Sequence, residues 1–453
     1  MTTLLVVAPL NSVAQTAKSA YFLDGTLHNY MLNPAMEPER NFFSVLCGNV
    51  SLKANANVGL SDFIYPYGDD QLTTFMNGTV DATSFLNRLP NNVRLFSDLD
   101  VTLLAGGWRM LGGYSTFGLT LHSTASSNLP KDLFEFTKQG LKKSAYSFSD
   151  INVRTTNYAA LNWGYSRELF DGFRVGVNAK YLLGLAYANV HVDKLNVELS
   201  NKQWMVESHA RADVALFAET NFVVNDNGVI NEVQVLTDPS SLNPVGMGLA
   251  FDLGMQYDMD DIVEGLSVYA SATDLGRIFW SHMQKASSRD NRIVFDGFEE
   301  VTTDDFEGGV TDELEQLGKD AEKMIELYYD GIGNMSTSLN AELLLGAEYN
   351  MPFYNPLSVA LLYGKRFGKF GGWDDVRAYI NIAPLRWIEA SANVSVSTFG
   401  TSFGWMLNIH PVGLNLFIGS DHMITRVTPQ FIPVNDMNGH LTFGINFPIG
   451  ERK

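Results

Sequence analysis

The chain has 453 residues, 45% of them hydrophobic, 12% aromatic and only 18% charged, with a mean hydropathy of −0.03; no unbroken apolar run reaches the ~18 residues of a membrane helix, and so many aromatics exclude a disordered chain. The 31 Lys/Arg against 50 Asp/Glu give a net charge of −19, which repels a phosphate backbone and excludes nucleic acid as a partner. One cysteine, Cys47, excludes an intramolecular disulfide and a zinc knuckle.

Leu4 to Leu10 is a short apolar run, and Ser12-Val13-Ala14 ahead of Gln15 has the small-x-small pattern that signal peptidase reads. Residues 1–14 are therefore expected to be a secretory signal, shortened because the first charge is Lys18, and 15–40 a segment preceding the first strand. Cys47 lies too far on to be a lipid-attachment site.

From about residue 45 the pattern is apolar/polar alternation, the period of a strand with two unlike faces. Ile388, Ala390, Ala392, Val394 and Val396 alternate with Glu389, Ser391, Asn393, Ser395 and Ser397, and Leu441, Phe443, Ile445 and Phe447 alternate with Thr442, Gly444 and Asn446. Such windows fall at 45–59, 97–110, 114–124, 151–166, 173–187, 247–257, 265–275, 338–350, 356–364, 375–383, 387–397, 402–410, 414–421 and 438–447. Links after the even-numbered windows have 3, 6, 7, 5, 3 and 3 residues, and those after the odd-numbered ones 37, 26, 59, 62, 10, 4 and 16. Short turns on one side and long loops on the other predict an all-β fold: a single transmembrane antiparallel up-and-down β-barrel of about 14 strands over 41–453, in a bacterial outer membrane, with both termini periplasmic. Segments 190–199 and 205–217 also read as strands and are assigned to an external hairpin; if they entered the membrane the count would be 16.

Two helices are expected in the long loops, packed across the external mouth. Leu129 to Leu141 has Pro130 in its first turn and Leu133, Phe134, Thr137 and Leu141 on one side. Asp312 to Leu327 carries Leu314, Leu317, Ala321, Met324 and Ile325 at helical spacing, with Glu315 placed for a capping box. Aromatics fall into two groups suited to headgroup depth: Trp108, Tyr114, Trp163, Tyr165, Tyr257, Tyr349, Phe353, Tyr354, Trp387 and Phe447 near the short turns, and Trp280, Trp373, Phe399 and Phe403 near the long ones. The polar faces would line the lumen, giving Asn340, Glu342, Glu348, Arg377, Asn381, Glu389, Asn393 and Asn408 as candidate lining residues.

Leu32-Asn33-Pro34-Ala35-Met36, the segment Ser271-Ala272-Thr273-Asp274-Leu275-Gly276 leading to Trp280, the Gly-rich strand Gly246 to Tyr257 and the aromatic last strand together resemble the fourteen-stranded barrels related to the long-chain fatty-acid transporter FadL, and more closely a Bacteroidota branch of that superfamily. The resemblance implies a short N-terminal plug over 15–40, with Asn33, Pro34 and Ala35 joining plug to wall, and uptake of a hydrophobic or amphipathic small molecule, lowered into the lumen or released sideways at a kinked strand. The plug is short for that family, and Pro448 to Lys453 follow the terminal Phe447.

No catalytic constellation emerges. Gly400-Thr401-Ser402-Phe403-Gly404 fits G-x-S-x-G but sits at a strand-to-strand turn, without the strand–elbow–helix that a hydrolase nucleophile needs. No phosphate loop or histidine pair points to a cofactor or metal. Residues 290–330 hold fourteen Asp/Glu against three Lys/Arg, so −11 of the net charge lies in one long loop; Asp304, Asp305, Glu307, Asp312 and Glu313 could approach a calcium ion, although the EF-hand order is not met, and a solvated loop is the plainer reading. Expected partners are outer-membrane lipid and lipopolysaccharide, with a hydrophobic small-molecule ligand. The alternative to transport is a structural or assembly subunit whose long loops dock lipoproteins or a surface machine.

Overall fold

Alternation puts one face of every strand in contact with lipid and the other with the interior only if the sheet closes, and here it does. A computed structural model describes residues 17–67, 71–139, 145–199, 204–217, 219–236, 243–289, 292–295, 325–368, 372–423 and 438–450. The wall consists of fourteen antiparallel strands. They are β1 (Asn41–Val45, continued by Val50–Ala56), β2 (Asn92–Met110), β3 (Gly113–Pro130), β4 (Ala145–Phe170), β5 (Phe173–Leu199), β6 (Trp204–Leu216, continued by Gly246–Asp258) and β7 (Leu266–Ser287, continued by Arg292–Phe295). The rest are β8 (Tyr328–Ser338, continued by Glu342–Asn350), β9 (Leu357–Arg366), β10 (Trp373–Leu385), β11 (Ile388–Ser397), β12 (Gly400–Ile409), β13 (Asn415–Ser420) and β14 (Gly439–Ile449). Each neighbour pair is hydrogen-bonded, and β14 closes the ring on β1 in the register Phe43↔Phe447 and Val50↔Phe443. Among the described residues closure gives every one of the fourteen strands a partner on both sides, as a hydrocarbon environment demands.

The two faces separate cleanly. Leu253 is 51% exposed on the outside while its neighbour Asp252 is fully buried inside, and Ile380 is 60% exposed where Arg377 is fully buried. Asn41 pairs with Ile449, and the backbone N–H of Arg109, beside the β2–β3 turn, donates to Asn41 Oδ1. The start of β1 and the end of β14 therefore lie at the rim of short turns.

The segments 190–199 and 205–217, expected to be an external hairpin, instead extend the wall. The first is the upper part of β5, the second the first piece of β6, paired Val197↔Val206 and Val190↔Ala212, so the count stays at fourteen. β4 and β5 have 26 and 27 residues, far more than the ~10 that cross a bilayer, and rise beyond the lipid band. Irregularities bend them: Asp150 has φ +56°, and the β5–β6 register slips between Val192 and Lys194.

The helices also differ from expectation in place. Helix α1 (Ala82–Arg88) has no counterpart in the sequence reading; Asp81 caps it by accepting from Ser84 N at 2.7 Å. Helix α2 (Lys131–Gln139) is the predicted 129–141 helix, but Leu129 and Pro130 still belong to β3. Neither lies across the mouth. α1 joins Phe63, Phe75 and Phe134 of α2 over Ala56, Val93 and Leu129, which lie on the same side of β1–β3 as the lipid-facing residues. Phe136 of α2 packs edge-on against Tyr146 and Phe148 in a second cluster with Val192, Leu195, Val197 and Val206, joined by Phe222 and Ile230 of the hairpin formed by Glu219–Val224 and Ile230–Leu236. Where the wall outgrows the lipid its apolar outer face still needs cover, and the loops fold back as a collar. The predicted helix over 312–327 lies outside the described residues except for Ile325 to Leu327, which are not helical; the signal at 1–14 and most of the acidic loop also lie outside them.

The aromatic reading needs correction. Trp163, Trp387, Phe353 and Tyr354 are exposed near the short turns, and Phe403 is exposed toward the other rim. Tyr114, Trp280, Trp373 and Phe399 are buried and contribute to interior packing instead.

Candidate functional site

Residues 17–40 enter the barrel and fill its lower lumen. Two single turns, Lys18–Ala20 and Asn29–Met31, compact the segment, and its backbone finds partners on the wall. Lys18 N and Ser19 N donate to the Asp421 carboxylate at 3.0 and 2.7 Å, and Ser19 Oγ donates to the same group at 2.7 Å. Gly25 N donates to both Glu389 oxygens at 3.0 Å, and Asn415 Nδ2 donates to Gly25 O at 3.1 Å. His28 Nε2 lies 2.8 Å from Asn446 Oδ1; burial pushes this imidazole down to about 4, partly offset by its hydrogen bonds. Near the short-turn rim Arg109 and Arg174 reach Glu37 at 3.1 and 3.6 Å. Tyr21 and Phe22 insert among Tyr269, Leu344, Leu362 and Tyr379, one of several apolar patches on the inner wall.

Asn33-Pro34-Ala35 lies against β5 and β6. Asn33 Oδ1 accepts from Ala35 N at 3.0 Å, and Asn33 Nδ2 donates to Met255 O and to Tyr21 OH at 3.1 and 3.2 Å. The wall admits this approach because Gly176 and Gly254 carry no side chain: a Cβ on either would overlap the tripeptide.

At the Lys18 end of this segment a belt of buried ions rings the interior. Lys18 Nζ pairs with Glu342 and Asp375 at 2.7 and 2.8 Å. Arg377 Nε reaches Asp375 at 2.6 Å, Arg366 grips Asp98 at 2.5 Å, and Lys180 bridges Asp252 and Asp274 at 2.9 and 2.7 Å. The Trp373 ring lies between Lys18 and Lys53, each Nζ 4.0 Å from its centroid. Charges this deep persist only when paired; Arg377 and Asp375 are two residues apart on β10, whereas Lys18–Asp375 and Arg366–Asp98 join parts of the chain far apart in sequence.

A chamber continuous with solvent adjoins the belt. Thr124, Ser126, Thr156, Tyr158, Tyr187, Thr337, Leu339 and Asn340 line it together with Arg154, Arg366 and Asp274.

A family model described as a family of unknown function, DUF5723, matches residues 34–421. The chain belongs to that family. Among curated proteins no sequence matches it. Solved structures similar to it include the toluene transporter TbuX of Ralstonia pickettii, at 9% identity over 93% of each chain with a TM-score of 0.41. The toluene transporter TodX of Pseudomonas putida is similar at 10% identity, over 96% of this chain and 93% of that one, with a TM-score of 0.38. A FadL homologue of Pseudomonas aeruginosa is similar at 11% identity, over 96% and 98%, with a TM-score of 0.42.

The predicted lining residues divide among these layers. Glu342 and Arg377 lie in the belt, and Asn393 connects Arg377 Nη1 (3.2 Å) to Ser19 Oγ (2.8 Å). Glu389 and Asn408 meet around Gly25, with Asn408 Oδ1 accepting from Asn415 at 2.9 Å. Glu348 and Asn381 share Ser358 Oγ at 2.6 and 3.1 Å. Asn340 stands apart, in the chamber wall. Lys18, Lys53, Asp98, Lys180, Asp252, Asp375 and Asp421 were missed. A usable signal was a lone charge inside an apolar strand, as Asp252 is within Gly246 to Tyr257.

The G-x-S-x-G serine acquires a histidine that the sequence did not pair with it: Ser402 Oγ lies 2.6 Å from His422 Nδ1 and 2.7 Å from Ser395 Oγ. The far nitrogen, Nε2, faces the Arg377 guanidinium at 3.4 Å. Guanidinium only donates, so Nε2 accepts, Nδ1 carries the proton, and Ser402 Oγ is the acceptor in its bond to histidine. That is the reverse of a general base, and an imidazolium here would face a fixed positive charge.

Proposed function

We propose that this protein is an uptake channel of the bacterial outer membrane for a small amphipathic molecule, with the short-turn rim in the periplasm and residues 17–40 as its plug. The observation that carries the reading is the layering of the lumen: a solvent-connected chamber adjoining a belt of ion pairs, with a lower lumen filled by a segment that is tethered at Asn41 and otherwise held by non-covalent contacts. A wall built purely for support needs no such chamber. The Asn33-Pro34-Ala35 segment that carries the FadL resemblance lies against Gly176 and Gly254, which supports a plug-to-wall role. Cargo would collect in the chamber and pass when the plug shifts.

Purified protein in proteoliposomes and planar bilayers tests this. Uptake of a labelled amphiphile with little standing ionic conductance is the expected result. A large constant conductance would make it an open porin. Neither uptake nor current, with a stoichiometric partner retained on purification, would favour the structural subunit.

A further inference from the structure

The chamber wall is chemically unlike a lipid pocket. Small-molecule pockets are lined mainly by apolar side chains, whereas here Leu339 is the single aliphatic side chain in the wall. Thr124 and Thr156 face each other across β3 and β4, with Ser126 and Thr337 adding further hydroxyls. Arg366 is buried, its terminal nitrogens are held by Asp98, and its Nε–H has no hydrogen-bond partner among the described residues. A hydrocarbon placed here would strip water from hydroxyls and guanidinium without replacing a single hydrogen bond.

We infer that the chamber binds the hydroxyl-rich ring of a sugar, whose hydroxyls both donate and accept. Threonine and serine hydroxyls do the same, so each side can satisfy the other in several orientations. Such a ring could be a free sugar or the head of a glycosylated amphiphile. The inference deepens the uptake reading by naming the group that is recognised, and rests on that reading only for the ring's onward passage.

The chamber has a built-in reporter. Trp280 Nε1 donates to Thr337 Oγ1 at 2.8 Å, and its ring centroid is 5.3 Å from that of Tyr187. Protein in sugar-free lipid nanodiscs would be titrated with methyl glucoside, hexyl glucoside and toluene, following tryptophan emission and heat. Saturable binding of at least one glucoside is expected, with no saturable response to toluene. The double variant Thr124→Val, Thr156→Val should weaken glucoside binding tenfold or more while leaving the heat-modifiable gel shift intact. The Trp280→Phe variant should lose the optical signal but keep the heat. Equal affinity for both glucosides identifies a free sugar as ligand; preference for the hexyl form identifies a glycosylated amphiphile. Saturable toluene binding without glucoside binding overturns the inference, as does glucoside binding unchanged in the double variant. Glucoside binding without uptake would remove the transport reading and leave this site standing; amphiphile uptake without glucoside binding would do the reverse.

Discussion

Gly254 and Asn33 pack so closely that the glycine's missing side chain is the space the asparagine occupies. Gly254→Val should therefore displace the plug without breaking the wall, since the strand conformation itself suits valine. Overpacking of this kind costs about 1–3 kcal/mol. Conductance should rise, and protease added at the short-turn side should cut within 17–40. Gly176→Val, against Pro34 and Ala35, should act the same way; wild-type conductance and protection in both variants would mean that this contact does not seat the plug.

Asp421 is the plug's upper anchor. Asp421→Asn keeps the size and removes the charge that faces Lys18 N, Ser19 N and, at 3.7 Å, Arg377. Breaking a buried pair typically costs about 3–5 kcal/mol. A lower melting temperature is expected, with earlier proteolysis at residues 17–25 than in the barrel.

His28 makes docking sensitive to acid. Its folded value is held at about 4 by burial against an ordinary 6.5, so an undocked plug takes up a proton first as pH falls. The stabilisation is complete above pH 6.5 and is lost as pH falls toward 4, amounting to about 1 kcal/mol by pH 5.5. Its closest ring neighbours are Tyr30, Phe42 and Phe417, with Asn446 on Nε2. Plug proteolysis should be faster at pH 5.5 than at pH 7.5, and a His28→Gln variant should lose most of that difference.

Ser402 should be inert. A fluorophosphonate probe is expected to leave the wild type unlabelled, because His422 donates to the serine and Arg377 opposes a charged imidazole. Labelling abolished by Ser402→Ala would reverse that conclusion.

Leu253 faces lipid midway along the second piece of β6. Leu253→Arg should cost about 2–4 kcal/mol if it lies at the bilayer midplane, measured by urea titration in phospholipid vesicles. Val223→Arg, in the hairpin of the collar, should change that stability far less.

How much was legible depended on the range of the interaction. Each strand window in the sequence corresponds to a wall strand because alternation is local: Leu253 and Asp252 declare opposite faces without reference to anything else. The upper parts of β5 and β6 read as strands but were placed in a separate hairpin, because the register slip near Asp193 and the segment inserted between the two pieces of β6 hide that they continue the wall. Trp280 and Trp373 were assigned to a rim because a tryptophan in a strand does not announce whether it meets a headgroup or, like Trp373, two lysines.

By itself the sequence determined a ring of two-faced strands with short turns at one rim, since periodicity and loop length are properties of neighbouring residues. Only the tertiary structure decided that Lys18 meets Asp375, that Asn33 fits against Gly254, and that Ser402 meets His422 with its proton pointing the wrong way for catalysis. Those contacts join residues up to several hundred positions apart, and closing the barrel is what brings them within reach.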